Sequence, residues 1–145
     1  AMAVARRNHT ASLLEDGTVL VVGGHGVDKQ PTTSVEIYDP STDSWSSGGK
    51  LSVARAEHTA TVLRDGSVLI VGGLGEFTST ELYDPAAGTW STTGDIHFAR
   101  YKHTAELLLD GRIMIAGGIE GGDAGADSDS VEVYDPATGS WTTID

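Results

Sequence analysis

Three histidines, His9, His58 and His103, recur inside one frame, Ala-Arg-x-x-His-Thr-Ala, beginning at Ala5, Ala54 and Ala99. Three imidazoles could ligate a zinc ion. The arginines of the frame, Arg6, Arg55 and Arg100, could pair bidentately with a recurring carboxylate. Two sets are available, Glu36/Glu81/Glu132 and Asp39/Asp84/Asp135. Repetition decides how these groups read. Metal ligands or catalytic groups would not need identical neighbours in every copy, whereas a residue that holds each structural unit together would. The histidines therefore read as hydrogen-bonded scaffold residues and the arginines as halves of structural ion pairs. No metal, cofactor or catalytic residue is expected.

Two other stretches tempt a chemical reading. Gly24-His25-Gly26 and Gly73-Leu74-Gly75 follow strand-like runs, as a dinucleotide loop begins, but the third glycine is missing and no helical pattern follows. Glu120, Asp123, Asp127 and Asp129 cluster in one loop, yet their spacing does not match an EF-hand, and a solvated acidic loop is the reading adopted. Asn8-His9-Thr10 is a formal glycosylation sequon, discounted because it runs into an expected inner strand.

The elements that must position these residues also come in threes. Val19-Leu20-Val21-Val22-Gly23-Gly24 returns at Val68–Gly72-Gly73 and at Ile113–Gly117-Gly118. Each run is apolar at successive positions, so both of its faces must be covered. The double glycine supplies positive φ or admits a neighbouring backbone closely. Upstream, Asp16-Gly17, Asp65-Gly66 and Asp110-Gly111 each separate two apolar runs, which predicts a hairpin with a type I′ turn. Downstream come Ser34–Pro40, Ser79–Pro85 and Ser130–Pro136, alternating strands closed by Tyr-Asp-Pro at Tyr38, Tyr83 and Tyr134. Seven residues after each tyrosine stands a tryptophan, Trp45, Trp90 or Trp141, marking a short outermost strand. No segment has a helical period.

Each repeat is thus a four-stranded antiparallel meander with Gly-Gly, Tyr-Asp-Pro and Trp at fixed offsets. In Gly23-Gly24/Tyr38/Trp45, Gly72-Gly73/Tyr83/Trp90 and Gly117-Gly118/Tyr134/Trp141 the chain resembles the Kelch repeat family, and in its Asp-Gly hairpins and Ala-Arg-x-x-His-Thr-Ala openings it looks like the bacterial Kelch arrays. The resemblance covers the whole chain. It implies an all-β propeller with one blade per repeat, at roughly 5–53, 54–98 and 99–145 of a single 1–145 segment, and a role as an interaction platform rather than an enzyme. Some Kelch-like propellers are copper oxidases with a Tyr–Cys cofactor, and a chain with no Cys does not resemble them in that respect.

Composition bounds the partners. A net charge of −12, from 9 Lys+Arg against 21 Asp+Glu, argues against nucleic acid and anionic membrane. Ala1 to Val4 is too short for the apolar core of a signal peptide, no apolar run reaches membrane-spanning length, and the compartment is left undecided.

Closed propellers use about 4–8 blades, so three leave two open, apolar sheet faces. From Trp45 to Arg55 is ten residues, from Trp90 to Arg100 is ten, and from Trp141 across the junction into a second copy's Arg6 is again ten. This phase leads to the expectation of a homodimer, two chains head to tail in a six-bladed ring. The alternative is a half-propeller fragment, natural or engineered, whose only role is assembly.

Residues that differ between copies point to binding. The loops after the glycine pairs and the connections between repeats should emerge on one face, and only those loops vary in length. That face carries His25, Asp28, Lys29, Gln30, Glu76, Phe77, His97, Phe98, Glu120 and Asp123. Arg7-Asn8, Ala56-Glu57 and Tyr101-Lys102 differ in every copy and should ring the mouth of a central channel. Arg7, Asn8, Lys29, Glu57, Phe77, Phe98, Tyr101 and Lys102 are the expected binding residues, for a protein or peptide. A sugar epimerase or lyase is a second alternative, with Glu57, Lys102, Tyr101 and Arg7 as acid–base groups.

Overall fold

The computed structural model describes residues 1–74, 78–121 and 125–144. Among them no helix occurs, and so none long and apolar enough to cross a membrane. Three four-stranded antiparallel sheets form in sequence order. The first holds β1 (Thr10–Leu13), β2 (Val19–Val22), β3 (Ser34–Asp39) and β4 (Ser44–Lys50), and the second β5 (Thr59–Val62), β6 (Val68–Val71), β7 (Thr80–Asp84) and β8 (Thr89–Thr92). In the third blade β9 (Arg100–Tyr101) and β12 (Ile119–Glu120) form a small ribbon beside the sheet β10 (Thr104–Leu107), β11 (Ile113–Ala116), β13 (Val131–Asp135) and β14 (Ser140–Ile144). The innermost strands β1, β5 and β10 lie side by side, so the blades stack face to face about one axis.

The apolar runs explain the stacking. Val68, Leu69, Ile70 and Val71 of β6 are all 0% exposed because a blade covers each face of the middle sheet. Leu14, Leu20, Val22 and Val35 of blade one pack against Val68, Ile70 and Tyr83 of blade two. The same positions of blade two, Leu63, Leu69 and Val71, pack against Ile113, Ile115 and Tyr134 of blade three. Tyr38, Tyr83 and Tyr134 each face the tryptophan of the next strand, with ring centroids 5.0, 4.9 and 5.1 Å apart. The indole N–H of Trp90 reaches back 2.9 Å to the Gly48 carbonyl, and that of Trp141 reaches 2.9 Å to Gly94, each in the preceding blade.

Two expectations about local structure are corrected. The Asp-Gly hairpins are not type I′ turns. Only Gly17, Gly66 and Gly111 have positive φ (87°, 84° and 94°), while the aspartates before them do not. Leu14 N–H bonds Thr18 C=O at 2.8 Å and Gly17 N–H bonds Leu14 C=O at 3.0 Å, which leaves a three-residue loop ending in a left-handed glycine. Asp16 Oδ1 accepts the Thr18 N–H at 2.9 Å, and Asp65 and Asp110 each take the amide of residue i+2 at 3.0 Å. A carboxylate employed in this way favours the aspartate's ordinary conformation. The outermost strand is also not short in every blade: β4 has seven residues and bulges between Ser47 and Lys50, where it pairs with Glu36 and Ser34 of β3, whereas β8 has four.

Candidate functional site

The repeated arginines are built into the blade. Arg55 is 0% exposed; its Nη1 donates to the carbonyls of Gly72 (2.8 Å) and Ser79 (3.0 Å), and its Nη2 to Ser79 Oγ (3.0 Å) and Glu81 Oε1 (3.1 Å). Arg100 repeats the pattern with Gly117, Ser130 and Glu132, and Arg6 with Gly23, Ser34 and Glu36. The carboxylate partners are therefore the glutamates. The other carboxylate set is used elsewhere, as Asp39, Asp84 and Asp135 cap the turn before the outermost strand through the amides of Ser41, Ala86 and Ala137. The second oxygen of each glutamate accepts a backbone N–H from the segment that leads into its blade, from Ala3 (2.6 Å), Ser52 (2.8 Å) or His97 (2.7 Å). Each clamp thus ties that segment to the ends of two strands and offers no free oxygen to a substrate.

The glycine pairs receive the next blade. Gly24 N–H donates to Arg55 C=O, and Gly73 N–H to Arg100 C=O, both at 2.9 Å. A Cβ on Gly23 or Gly72 would collide with those same carbonyls. The histidines join blades as well: His58 Nε2 lies 3.0 Å from Thr10 Oγ1, and His103 Nε2 lies 2.8 Å from Thr59 Oγ1. Burial, aided by the Arg55 charge and the neighbouring His103 and His9, pushes His58 down to about 3; burial and then Arg100 push His103 down to about 4. His9 is lowered too, by burial first and Arg6 second. The rings are neutral hydrogen-bonding groups at neutral pH. Among the described residues no group of three or more His, Cys, Asp or Glu side chains converges as a metal would need. The threonine and serine partners, Thr10, Thr59, Ser34, Ser79 and Ser130, were not singled out in the sequence, although they recur as faithfully as the histidines do.

The variable positions come together differently. Asn8, Glu57 and Lys102 share a left-handed backbone, with φ of 55°, 59° and 55°. They are linked in series: Glu57 N–H donates to Asn8 C=O and Lys102 N–H to Glu57 C=O, both at 3.0 Å. Their side chains meet as well. Asn8 Nδ2 donates to Glu57 Oε1 at 2.8 Å, and Lys102 Nζ stands 3.7 Å from Glu57 Oε2 and 5.7 Å over the Tyr101 ring. The result is an amide, a carboxylate and an ammonium side by side on the loop side of the inner strands. Arg7 is exposed beside them, its backbone paired with His25 (3.1 and 2.8 Å). Phe98, 42% exposed, lies two residues before Arg100, whose Nε donates to its carbonyl. Lys29 stands apart at the tip of its own loop, exposed, with φ 63°. Phe77, with Glu76 and Asp123, lies outside the described residues.

Residues 6–52 and 107–144 match the family model described as Kelch motif. An F-box/kelch-repeat protein of Arabidopsis thaliana is 55% identical over 31 residues, which is 21% of this chain and 8% of that protein. The solved structure of YjhT superposes with a TM-score of 0.79 at 17% identity, covering 99% of this chain and 51% of that one. This chain therefore spans about half of YjhT and less than a tenth of the plant protein, and the likeness to YjhT is one of fold alone.

Proposed function

The chain belongs to the Kelch-motif family, and from that premise we propose that it is a non-catalytic interaction module, in which two three-blade chains close one six-bladed ring and its loop side receives a protein or peptide. Kelch-type propellers serve generally as protein-interaction scaffolds, and a fold by itself assigns no ligand. The observation that carries the binding reading is the Asn8–Glu57–Lys102 row. Three unlike side chains occupy one strained backbone position in three blades. Non-glycine residues seldom take this conformation. The scaffold is held constant there while the displayed chemistry changes, as a binding rim requires.

Self-association is favoured by the two outer sheet faces, where Leu13 of blade one is 67% exposed and Leu108 and Met114 of blade three are only half-buried. The expected particle has twice the 15.1 kDa mass of one chain. Catalysis by Glu57 with Lys102, Tyr101 or Arg7 is the less favoured reading: Glu57 Oε1 already accepts from Asn8 Nδ2 at 2.8 Å, and Oε2, 3.7 Å from Lys102 Nζ, makes no hydrogen bond.

The binding reading is tested with the triple variant Asn8→Gly, Glu57→Gly, Lys102→Gly. Glycine accepts positive φ without strain, so the fold is retained, with Tm within about 5 °C of the parent. Peptides selected from a random displayed library on the parent protein should lose binding to the triple variant. Selected peptides that bind both proteins equally would remove the rim from the account.

A further inference from the structure

Each of the two joints between blades is made by the same few groups. A glycine N–H of the earlier blade meets an arginine C=O of the later one, Gly24 with Arg55 and Gly73 with Arg100. A rim residue's C=O meets the next rim residue's N–H, Asn8 with Glu57 and Glu57 with Lys102. A threonine hydroxyl meets a histidine ring, Thr10 with His58 and Thr59 with His103. Blade three carries the first half of a third such joint, in the Gly118 N–H, the Lys102 C=O and the Thr104 hydroxyl. Blade one carries the second half, in the Arg6 C=O, the Asn8 N–H and the His9 ring. Among the described residues no backbone group pairs with the Gly118 N–H, the Lys102 C=O, the Arg6 C=O or the Asn8 N–H.

The apolar faces are complementary in the same sense. At the outer face of blade one Leu13 is 67% exposed and Val19 and Tyr38 are half-buried, whereas at the same positions of blade two Val62 is half-buried and Val68 and Tyr83 are buried. On blade three, Leu108, Met114 and Ala116 are half-buried, whereas Leu63, Leu69 and Val71 at the same positions are buried. Gly117 keeps the conformation of Gly23 and Gly72, with φ of 65° against 60° and 64°. Yet the nearest atom to a Cβ built on it is Ser128 O at 3.6 Å, with no arginine carbonyl against it.

We infer that a second copy of this chain seats the Arg6 carbonyl against Gly117-Gly118, its Asn8 N–H on Lys102 C=O and its His9 ring on Thr104, and that the reciprocal joint closes the ring. The occupant is another copy because both halves of the joint are present on this one chain, and each is the structural equal of a half already joined inside it. The inference rests on the ring-closure reading above and adds to it the residues that make the contact.

Gly117→Ala isolates the claim. Within one chain its Cβ has room, whereas in the joint it strikes the partner's Arg6 carbonyl, as it would strike Arg55 at Gly23. Gly88→Ala is the matched control, since Gly88 has the same φ of 65°, nothing within 4 Å, and lies in a turn away from both faces. Sedimentation equilibrium of the folded proteins at micromolar concentration reads the outcome. Support requires a dimeric parent, a dissociation constant raised about a hundredfold by Gly117→Ala, since both joints of the ring meet the clash, and a Gly88→Ala constant within about threefold of the parent's. A dimeric parent with equal constants for the two variants overturns the contacts assigned here and leaves ring closure standing on other surfaces. A parent that stays monomeric, or that grows past the dimer with concentration, overturns both.

Discussion

At the scale of single residues, the histidines are the groups whose chemistry changes most on folding. His58 and His103 are buried and neutral, pushed to about 3 and about 4, while an unfolded histidine takes up a proton near pH 6.5. The unfolded chain therefore binds more protons than the folded one as pH falls below 6.5. Stability is complete above that value, and each ring removes up to about 1.4 kcal/mol per pH unit as the pH descends toward its folded value. The carboxylates add their own loss lower down. Glu36 is raised by burial but lowered further by the Ala3 N–H, by Arg6 and by the Val4 N–H, so its net shift is downward, and Asp65 is lowered by Ser67. Groups of that kind contribute stability that disappears only as the pH drops below about 4. The window from pH 6.5 to 4.5 thus belongs to histidine. Urea midpoints measured across it should fall steadily, and a flat profile there would show that the rings are not buried as described.

At the scale of elements, the arginine clamp shows what the sequence displayed and what it withheld. Recurrence marked Arg6, Arg55 and Arg100 as structural, but it marked two carboxylate families equally, since Glu81 and Asp84 recur with the same regularity. Spacing along a strand cannot tell them apart without the direction of the side chains. In the structure Glu81 points into the clamp at 2% exposure, while Asp84 bonds its own turn amide. The two families therefore differ in energy. Glu81→Gln removes the charge opposite a buried guanidinium and should cost about 3–5 kcal/mol, whereas Asp84→Asn keeps a turn-capping oxygen and should cost about 1 kcal/mol or less. Chemical denaturation of the two variants checks the difference, and equal losses would refute the assignment. The strands themselves were legible because double-sided apolar runs and Tyr–Trp offsets are dictated by layer packing. The hairpin type was not, because an Asp-Gly pair suits either a two-residue loop with both residues left-handed or a three-residue loop with only the glycine so. Choosing between them depends on whether the aspartate carboxylate is bonded to the amide of residue i+2, a local contact that the Asp-Gly pair itself does not specify. The common φ of Asn8, Glu57 and Lys102 was also invisible, since three unlike residues give no pattern from which positive φ could be read.

At the scale of the whole molecule, two terms oppose each other in assembly. The outer faces of blades one and three are apolar, and covering them is favourable by roughly 25 cal/mol per Å² removed from water. Each chain, however, carries a net charge of −12, and two like-charged bodies repel over a distance set by the Debye length, about 30 Å at 0.01 M salt and 10 Å at 0.1 M. The joint contains no exposed ion pair that salt would weaken: its named groups are backbone amides and carbonyls, a hydroxyl and an uncharged imidazole. Added salt should therefore tighten the dimer, unlike an association built on complementary charge, which loosens. Raising sodium chloride from 0.02 to 0.3 M should lower the dissociation constant by about tenfold, equivalent to about 1.4 kcal/mol of relieved repulsion. Lowering the pH from 7 to 5 at fixed salt reaches histidine before the carboxylates, and protonating His9 places a charge in the joint, where its equivalents His58 and His103 are buried. His9→Asn removes that charge. The parent's dimer should weaken from pH 7 to 5 more than the variant's does. Equal changes in the two dissociation constants over that range would place His9 outside the joint.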